Sequence, residues 1–226
     1  MKSFFCPDEP LVHIAVIDSK GNQPWNGVQT GNDSMSEHWN RIDGQQLALI
    51  TFTNAEEVEL VLNGKSIGRK KNDVSNPKMR NQIRWNGVRF HPGTLEAIAY
   101  RDGKAVARHL IATNTAPKSL VAKADNQQWH ADGMDLQHVQ VSLVDTKGRC
   151  INTANNEVTF TVEGDARIVG VINGNISSNE LSVGNKRSLF NGKCTVILRA
   201  GRTPSKITLS ATTDGVKTTK MKLQTL

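Results

Sequence analysis

Cysteine is scarce in this chain, and its three copies, Cys6, Cys150 and Cys194, form no close-spaced pair. They cannot all be matched in disulfides within one chain, and a C-x-x-C metal spacing is missing, so free thiols are the simplest reading and the redox compartment stays open. Long apolar runs are absent too: none approaches the ~20 residues a helix needs to cross a bilayer. The opening Met1-Lys-Ser-Phe-Phe-Cys-Pro7 holds too short an apolar stretch for a secretory signal. Helix signals are weak throughout. Serine nucleophile elbows, P-loops and dinucleotide fingerprints are missing as well, so no cofactor is expected. The six histidines are scattered, with no pair at a metal-ligand spacing beside a suitable acid, and no metal is expected.

Charge of one sign is in excess but not gathered. The formal net charge of +7 would suit a phosphate-bearing partner only if lysine and arginine were clustered, and Arg69-Lys70-Lys71 is the one tight basic run. It follows Asn63-Gly64-Lys65-Ser66-Ile67-Gly68, which reads as a turn leading into a solvated polar loop. Neither a nucleic acid nor a membrane is expected as partner.

What the sequence does contain is β-branched residues at period two, cut by Gly, Asn, Asp and Pro turns. Val139, Val141 and Leu143 alternate with Gln140 and Ser142 and end at Asp145-Thr-Lys-Gly148. Val158, Phe160 and Val162 repeat the pattern, as do Val196 with Leu198, and Ile207 with Leu209 and Ala211. In the first half, strands are predicted over 47–53, 58–62, 95–100 and 105–112. Asn63-Gly64 and Asp102-Gly103 are dipeptides that tolerate positive φ in two-residue hairpin loops. Short strands at this spacing predict an all-β chain of two tandem immunoglobulin-like antiparallel β-sandwich domains. Asn114-Thr-Ala-Pro117 lacks apolar periodicity, and the boundary is placed there: 1–117 and 118–226.

Residues 21–40 are rich in Asn, Gly, Ser and Gln, with Trp25 and Trp39 embedded. A polar loop of this length is either a binding loop or a lid pinned by its tryptophans. The lid is favoured, because a tryptophan supplies large area and is more often packed than displayed. If the rings are displayed, Trp25 and Trp39 are the candidate carbohydrate-binding residues, with Trp85 and Trp129 behind them.

Two stretches carry a family resemblance: 131–148, beginning Ala131-Asp-Gly133, and 171–193, which holds Asn173-Gly174-Asn175, Glu180, Arg187 and Phe190-Asn-Gly192. They resemble the last immunoglobulin-like domain of glycoside hydrolase family 2 enzymes of the β-galactosidase type. In the first half, His38-Trp39-Asn40, the segment 52–68, Trp85 and Pro92-Gly-Thr-Leu-Glu-Ala97 are similar to the domain that follows the catalytic barrel in bacterial members. The start is similar to the segment by which such a chain leaves the barrel, so it resembles a cut. The resemblance implies a non-catalytic C-terminal region whose partner is the parent's barrel, and a parent that hydrolyses terminal β-linked sugars with retention and is exported to the periplasm or the extracellular space; this chain itself carries no sign of its compartment. The family commonly has prolines where this chain has Ile176 and near Asn152; without them both loops lose a φ restraint.

Retaining glycosidases need two carboxylates about 5–5.5 Å apart, in this family both glutamates on barrel strands. No counterpart is visible. Asn156-Glu157 and Asn179-Glu180 superficially resemble the family's Asn-Glu acid/base pair, but each is predicted between short sandwich strands, where the motif lacks its context. The resemblance implies a structural loop from Asn173, Gly174, Glu180 and Arg187: αL turns at Asn and Gly, and a glutamate accepting hydrogen bonds, with Arg187 as a candidate donor. Two other classes remain open, a free-standing carbohydrate-binding module and a bacterial Ig-like surface or adhesin domain pair.

Overall fold

Period-two alternation becomes strands in the computed structural model, which describes residues 2–19, 33–77, 79–126 and 128–226, plus the backbone of 23–25 and 28–30. The chain divides into two units, Met1–Thr113 and Asn114–Leu226. No described helix is long and apolar enough to cross a membrane.

In the first unit a single helical turn, α1 (Lys2–Phe5), precedes β1 (Val12–Ser19), β2 (Gln23–Trp25), β3 (Val28–Thr30), β4 (Ser34–Ser36), β5 (Gln46–Thr53), β6 (Glu57–Leu62), β7 (Lys65–Lys71), β8 (Gln82–Arg89), β9 (Thr94–Arg101) and β10 (Lys104–Ala112). Two four-stranded sheets result, β4-β1-β5-β8 and β10-β9-β6-β7, with β2-β3 as a separate ladder. Alternate residues of both sheets meet in one core: Ile14 and Leu49 from the first, Leu60, Leu95 and Ala97 from the second. Inward threonines are satisfied: Trp85 Nε1 donates to Thr51 Oγ1 at 3.1 Å and Thr53 Oγ1 donates to the Leu11 carbonyl at 2.7 Å. Both expected hairpin turns form with positive φ at each central residue, 49° and 81° at Asn63-Gly64 and 49° and 72° at Asp102-Gly103.

Two expectations are corrected. The basic run is not a loop: Arg69, Lys70 and Lys71 close β7, which pairs with β6 at the sheet edge. Seven residues with hardly any apolar alternation give no strand signal, yet the ladder with β6 makes them a strand, and at the sheet edge side chains on both faces reach water, where charge is tolerated. Nor is 21–40 an unbroken loop, since Ser34–Ser36 pairs antiparallel with β1. That polar tripeptide is extended because its neighbour supplies the ladder, a tertiary effect overriding propensity.

The second unit holds β11 (Pro117–Ala124), β12 (Leu136–Asp145), β13 (Glu157–Glu163), β14 (Ala166–Ile172), β15 (Lys186–Ser188), β16 (Lys193–Ala200), β17 (Lys206–Thr212) and β18 (Thr219–Gln224). Its sheets run β11-β12-β16-β14 and β15-β13-β17-β18. Val139, Val141, Val196 and Leu198 of one sheet face Val158, Phe160, Ile207 and Leu209 of the other across a shared core. Trp129 closes that core, 1 % exposed, with Nε1 donating to the Asp135 carbonyl at 3.1 Å. Each unit is therefore an immunoglobulin-like antiparallel sandwich; within the sheets of the described residues neighbouring strands pair antiparallel, and the isolated bridge Ser119–Lys217 is parallel.

Candidate functional site

The segment 173–185 joins β14 in one sheet of the second unit to β15 in the other. Its sequence is too polar for a strand and too irregular for a helix, and its shape is set by side chains bonding to nearby backbone. The Asn173 Oδ1 accepts from the Asn175 backbone N–H at 3.0 Å, and Asn175 Oδ1 accepts from Ser177 N–H at 3.0 Å, two successive Asx turns. Gly174 between them takes φ 77°, where an L side chain is strained even though the space around it is open.

Arg187, on β15, sits beneath this loop at 4 % exposure. Its Nη2 donates to Asn173 Oδ1 at 2.8 Å and its Nη1 to the Glu180 carbonyl at 3.0 Å. The Nε lies 3.5 Å from Glu180 Oε2, inside ion-pair range but without hydrogen-bond geometry. Glu180 in turn accepts from Ser188 Oγ at 2.7 Å, Ser188 N–H at 3.0 Å and Ser178 Oγ at 3.0 Å. The Ser188 hydroxyl is the largest influence holding the Glu180 carboxyl below the ordinary carboxylate range; burial opposes it, and the Ser188 N–H, Ser178 and Arg187 add to it. The structure thus brings Asn173, Glu180 and Arg187 into one network, with Gly174 as the turn beside it; of Asn173, Gly174 and Asn175 only the glycine has positive φ, so the αL turn expected at Asn is corrected. An ionised carboxylate is acceptor-only and has no proton to give, so Glu180 is poorly suited to general-acid chemistry.

Glu157 lies opposite Ser188 across the β13–β15 ladder and is paired with Lys186 at 3.0 Å. It sits on a short antiparallel strand, not at the end of a parallel barrel strand.

A second polar hub lies at the β12 turn. Asp145 is fully buried, and burial alone would push its carboxyl pKa up. Against that, the Thr115 N–H at 3.0 Å, the Arg149 guanidinium at 2.7 Å and the Arg149 N–H at 2.9 Å donate to it, and its pKa falls well below the usual carboxylate range. The Asp145-Thr-Lys-Gly148 segment showed a turn in the sequence; nothing in it showed that the aspartate would anchor the chain entering the unit.

The tryptophans are core anchors wherever they are described. Trp39 is completely buried, tilted against Phe90 at a 4.9 Å centroid distance, with Nε1 donating to the His91 carbonyl at 3.1 Å. Its candidate role in carbohydrate binding is corrected on that ground: no ring face is left to stack on a pyranose. Trp85 and Trp129, 4 % and 1 % exposed, are closed in the same way. The side chain of Trp25 falls outside the described residues. The basic run is engaged by both sheets of its unit, with Arg69 3.8 Å above the Tyr100 ring of β9 and Lys70 4.9 Å from the Trp85 ring of β8.

The three cysteines are free, and burial pushes the Cys194 thiol up to about 12. One cluster escaped the sequence entirely: the His13 and His109 rings lie 4.4 Å apart, tilted by 32°, and His109 Nδ1 accepts the Ile14 N–H at 3.0 Å. Residues 96 positions apart offer no local signal. Among the described residues, no group of three or more His, Cys, Asp or Glu could hold a metal ion.

With this geometry in hand, the comparisons with known proteins are specific. The profile "Glycoside hydrolase family 2 C-terminal domain 5" matches residues 120–222, nearly all of the second unit, and "Domain of unknown function (DUF4982)" matches 44–107 in the first. The β-galactosidase BoGH2A of Bacteroides ovatus is 40 % identical over 187 residues, 82 % of this chain and 21 % of that protein. A β-galactosidase of Thermoanaerobacter pseudethanolicus is 32 % identical over 174 residues, 72 % of this chain and 22 % of its own length. A crystal structure of a glycosyl hydrolase family 2 member from Bacteroides cellulosilyticus superposes with a TM-score of 0.90 at 28 % identity, covering 100 % of this chain and 29 % of that one. The chain belongs to the C-terminal region of family 2 glycoside hydrolases. It spans about a fifth of the length of the β-galactosidases it matches.

Proposed function

We propose that this chain is the non-catalytic accessory region of a retaining β-galactosidase, with the first unit as the sandwich that follows the catalytic barrel and the second as the C-terminal sandwich. The observation that carries the reading is the pair of β-galactosidase relatives, each matched over more than two thirds of this chain and about a fifth of its own length. The carboxylates add support: Glu180 is committed to Ser188 and Ser178, and Glu157 to Lys186. The partner under this reading is the catalytic barrel, and the 173–188 network is a structural loop. β-Glucuronidase is the competing parent activity, since a putative β-glucuronidase of Formosa agariphila is 32 % identical over 170 residues. The test is to assay the chain, and the longer polypeptide encoded by its gene, on chromogenic β-galactosides and β-glucuronides. The chain alone should show no turnover and the longer polypeptide should prefer the galactoside. Turnover by the chain that vanishes in Glu157→Gln or Glu180→Gln would overturn the accessory reading.

A further inference from the structure

The 173–185 segment carries its large apolar side chains to the surface. Asn173 and Glu180 bond inward to Arg187 and Ser188, while Ile176 is 101 % exposed, Leu181 74 % and Val183 67 %. A loop shaped only by solvent would tuck such side chains away, because apolar area left in water is unfavourable. The exposed face does not stop at the loop. Val171 N–H donates to the Ser182 carbonyl at 2.9 Å, which lays residues 181–183 along β14, and there Val169 and Ile172 are themselves 38 % and 42 % exposed. Exposed apolar residues thus occur on the loop and on the strand it is bonded to.

The segment is also held in place at both ends. Asn173 Nδ2 donates to the Ser188 carbonyl at 2.9 Å, and Asn185 exchanges hydrogen bonds with Phe160, its Nδ2 donating to the Phe160 carbonyl at 3.1 Å and its carbonyl accepting the Phe160 N–H at 2.7 Å. A preorganised apolar surface loses little entropy on being covered. Its charge fits an uncharged neighbour: from Asn173 to Asn185 the only ionisable residue is Glu180, already bonded to Ser188, in a chain of net charge +7. An anionic polymer would find nothing to pair with here.

We infer that Ile176, Leu181 and Val183, with Val169 and Ile172, form the docking face by which the second unit seats against the part of the longer polypeptide that lies outside this chain. This rests on the accessory reading and specifies its contact surface. The relatives fix the occupant: the chain spans 21 % and 22 % of the two β-galactosidases, so most of such a protein is available to cover the patch in cis, at an effective concentration no free ligand matches. The matching surface is apolar and uncharged.

The experiment is cysteine accessibility. Ile176→Cys, and Asp214→Cys on the exposed β17–β18 turn as a control, are introduced both into this chain and into the longer polypeptide of its gene, and maleimide labelling is followed peptide by peptide by mass spectrometry. In the chain alone both positions should label at similar rates. In the longer polypeptide, labelling at 176 should slow tenfold or more while 214 stays unchanged. Equal rates at 176 in the two proteins would overturn the inference and leave the accessory reading standing. Protection at 176 in the chain alone that grows with its concentration would also overturn it, in favour of a second copy as occupant. A gene with no coding sequence beyond this chain would instead remove the accessory reading, and the inference with it.

Discussion

The first unit fills its core with Trp39, Trp85 and Phe90 and buries only uncharged polar residues among those described, Ser3, Thr51, Thr53 and Asn72. The second unit has one buried tryptophan, Trp129, and buries two charged groups, Asp145 and Arg187, at separate places. One sandwich is organised by large apolar anchors drawn from distant segments. The other adds polar hubs that fix its irregular connections, Asp145 the entry to the unit and Arg187 the crossing between its sheets. A buried charge is tolerable only when its partners arrive with it. The lesson is that hubs of this kind constrain loops, whereas apolar anchors constrain sheets.

That contrast is breakable. Trp39→Ala should cost the first unit about 3–5 kcal/mol, the range for truncating a large buried aromatic, while leaving amide exchange in the second unchanged; slowed or unaltered exchange in the first unit would refute the anchor role. Asp145→Ala should destabilise the second unit by about 3 kcal/mol, the low end for breaking a buried pair, because Arg149 keeps 30 % side-chain exposure and can recover water. Urea unfolding followed by the Trp129 signal measures it.

Acid should separate the units in the same way. The folded Asp145 carboxyl titrates below its unfolded value of about 3.9, so its contribution is fully present above that value and drains away as pH falls. Melting of the second unit should fall off below pH about 4, and Asp145→Asn should flatten that acid limb; a limb unchanged by the substitution would place the titrating group elsewhere. The smallest effect is expected at the loop. Glu180→Gln should cost only about 1 kcal/mol, one or two charge-assisted hydrogen bonds discounted for exposure, since its side chain is 35 % exposed. Faster amide exchange confined to the loop around Ser178 and Ser188 would confirm it, and a loss as large as that of Asp145→Ala would make the loop a core element.

Much of the fold was legible in the sequence because a sandwich strand is half buried, and half burial writes itself as alternation. Val139, Val141 and Leu143, or Ile207, Leu209 and Ala211, need no partner to be recognised. The hairpins were legible for a similar reason: positive φ at Asn63-Gly64 and Asp102-Gly103 is a property of the dipeptide itself. Where alternation failed, so did the reading. Arg69-Lys70-Lys71 belongs to an edge strand that solvates both faces, and Ser34–Ser36 is a strand only because β1 lies beside it. Of the loop network, Asn173, Gly174, Glu180 and Arg187 were named in advance, but Ser178 and Ser188 were not, because serines carry no distinctive spacing.

By itself, then, the sequence determined strand identity, turn chemistry and family, all properties of residues close together along the chain. The tertiary structure alone decided which side chains face water. It buried Trp39, paired Glu157 with Lys186 and Glu180 with Ser188, and turned Ile176, Leu181 and Val183 outward. Exposure depends on what lies across the core or beyond the sheet edge, and that neighbour can be a hundred residues away or in another part of a longer chain.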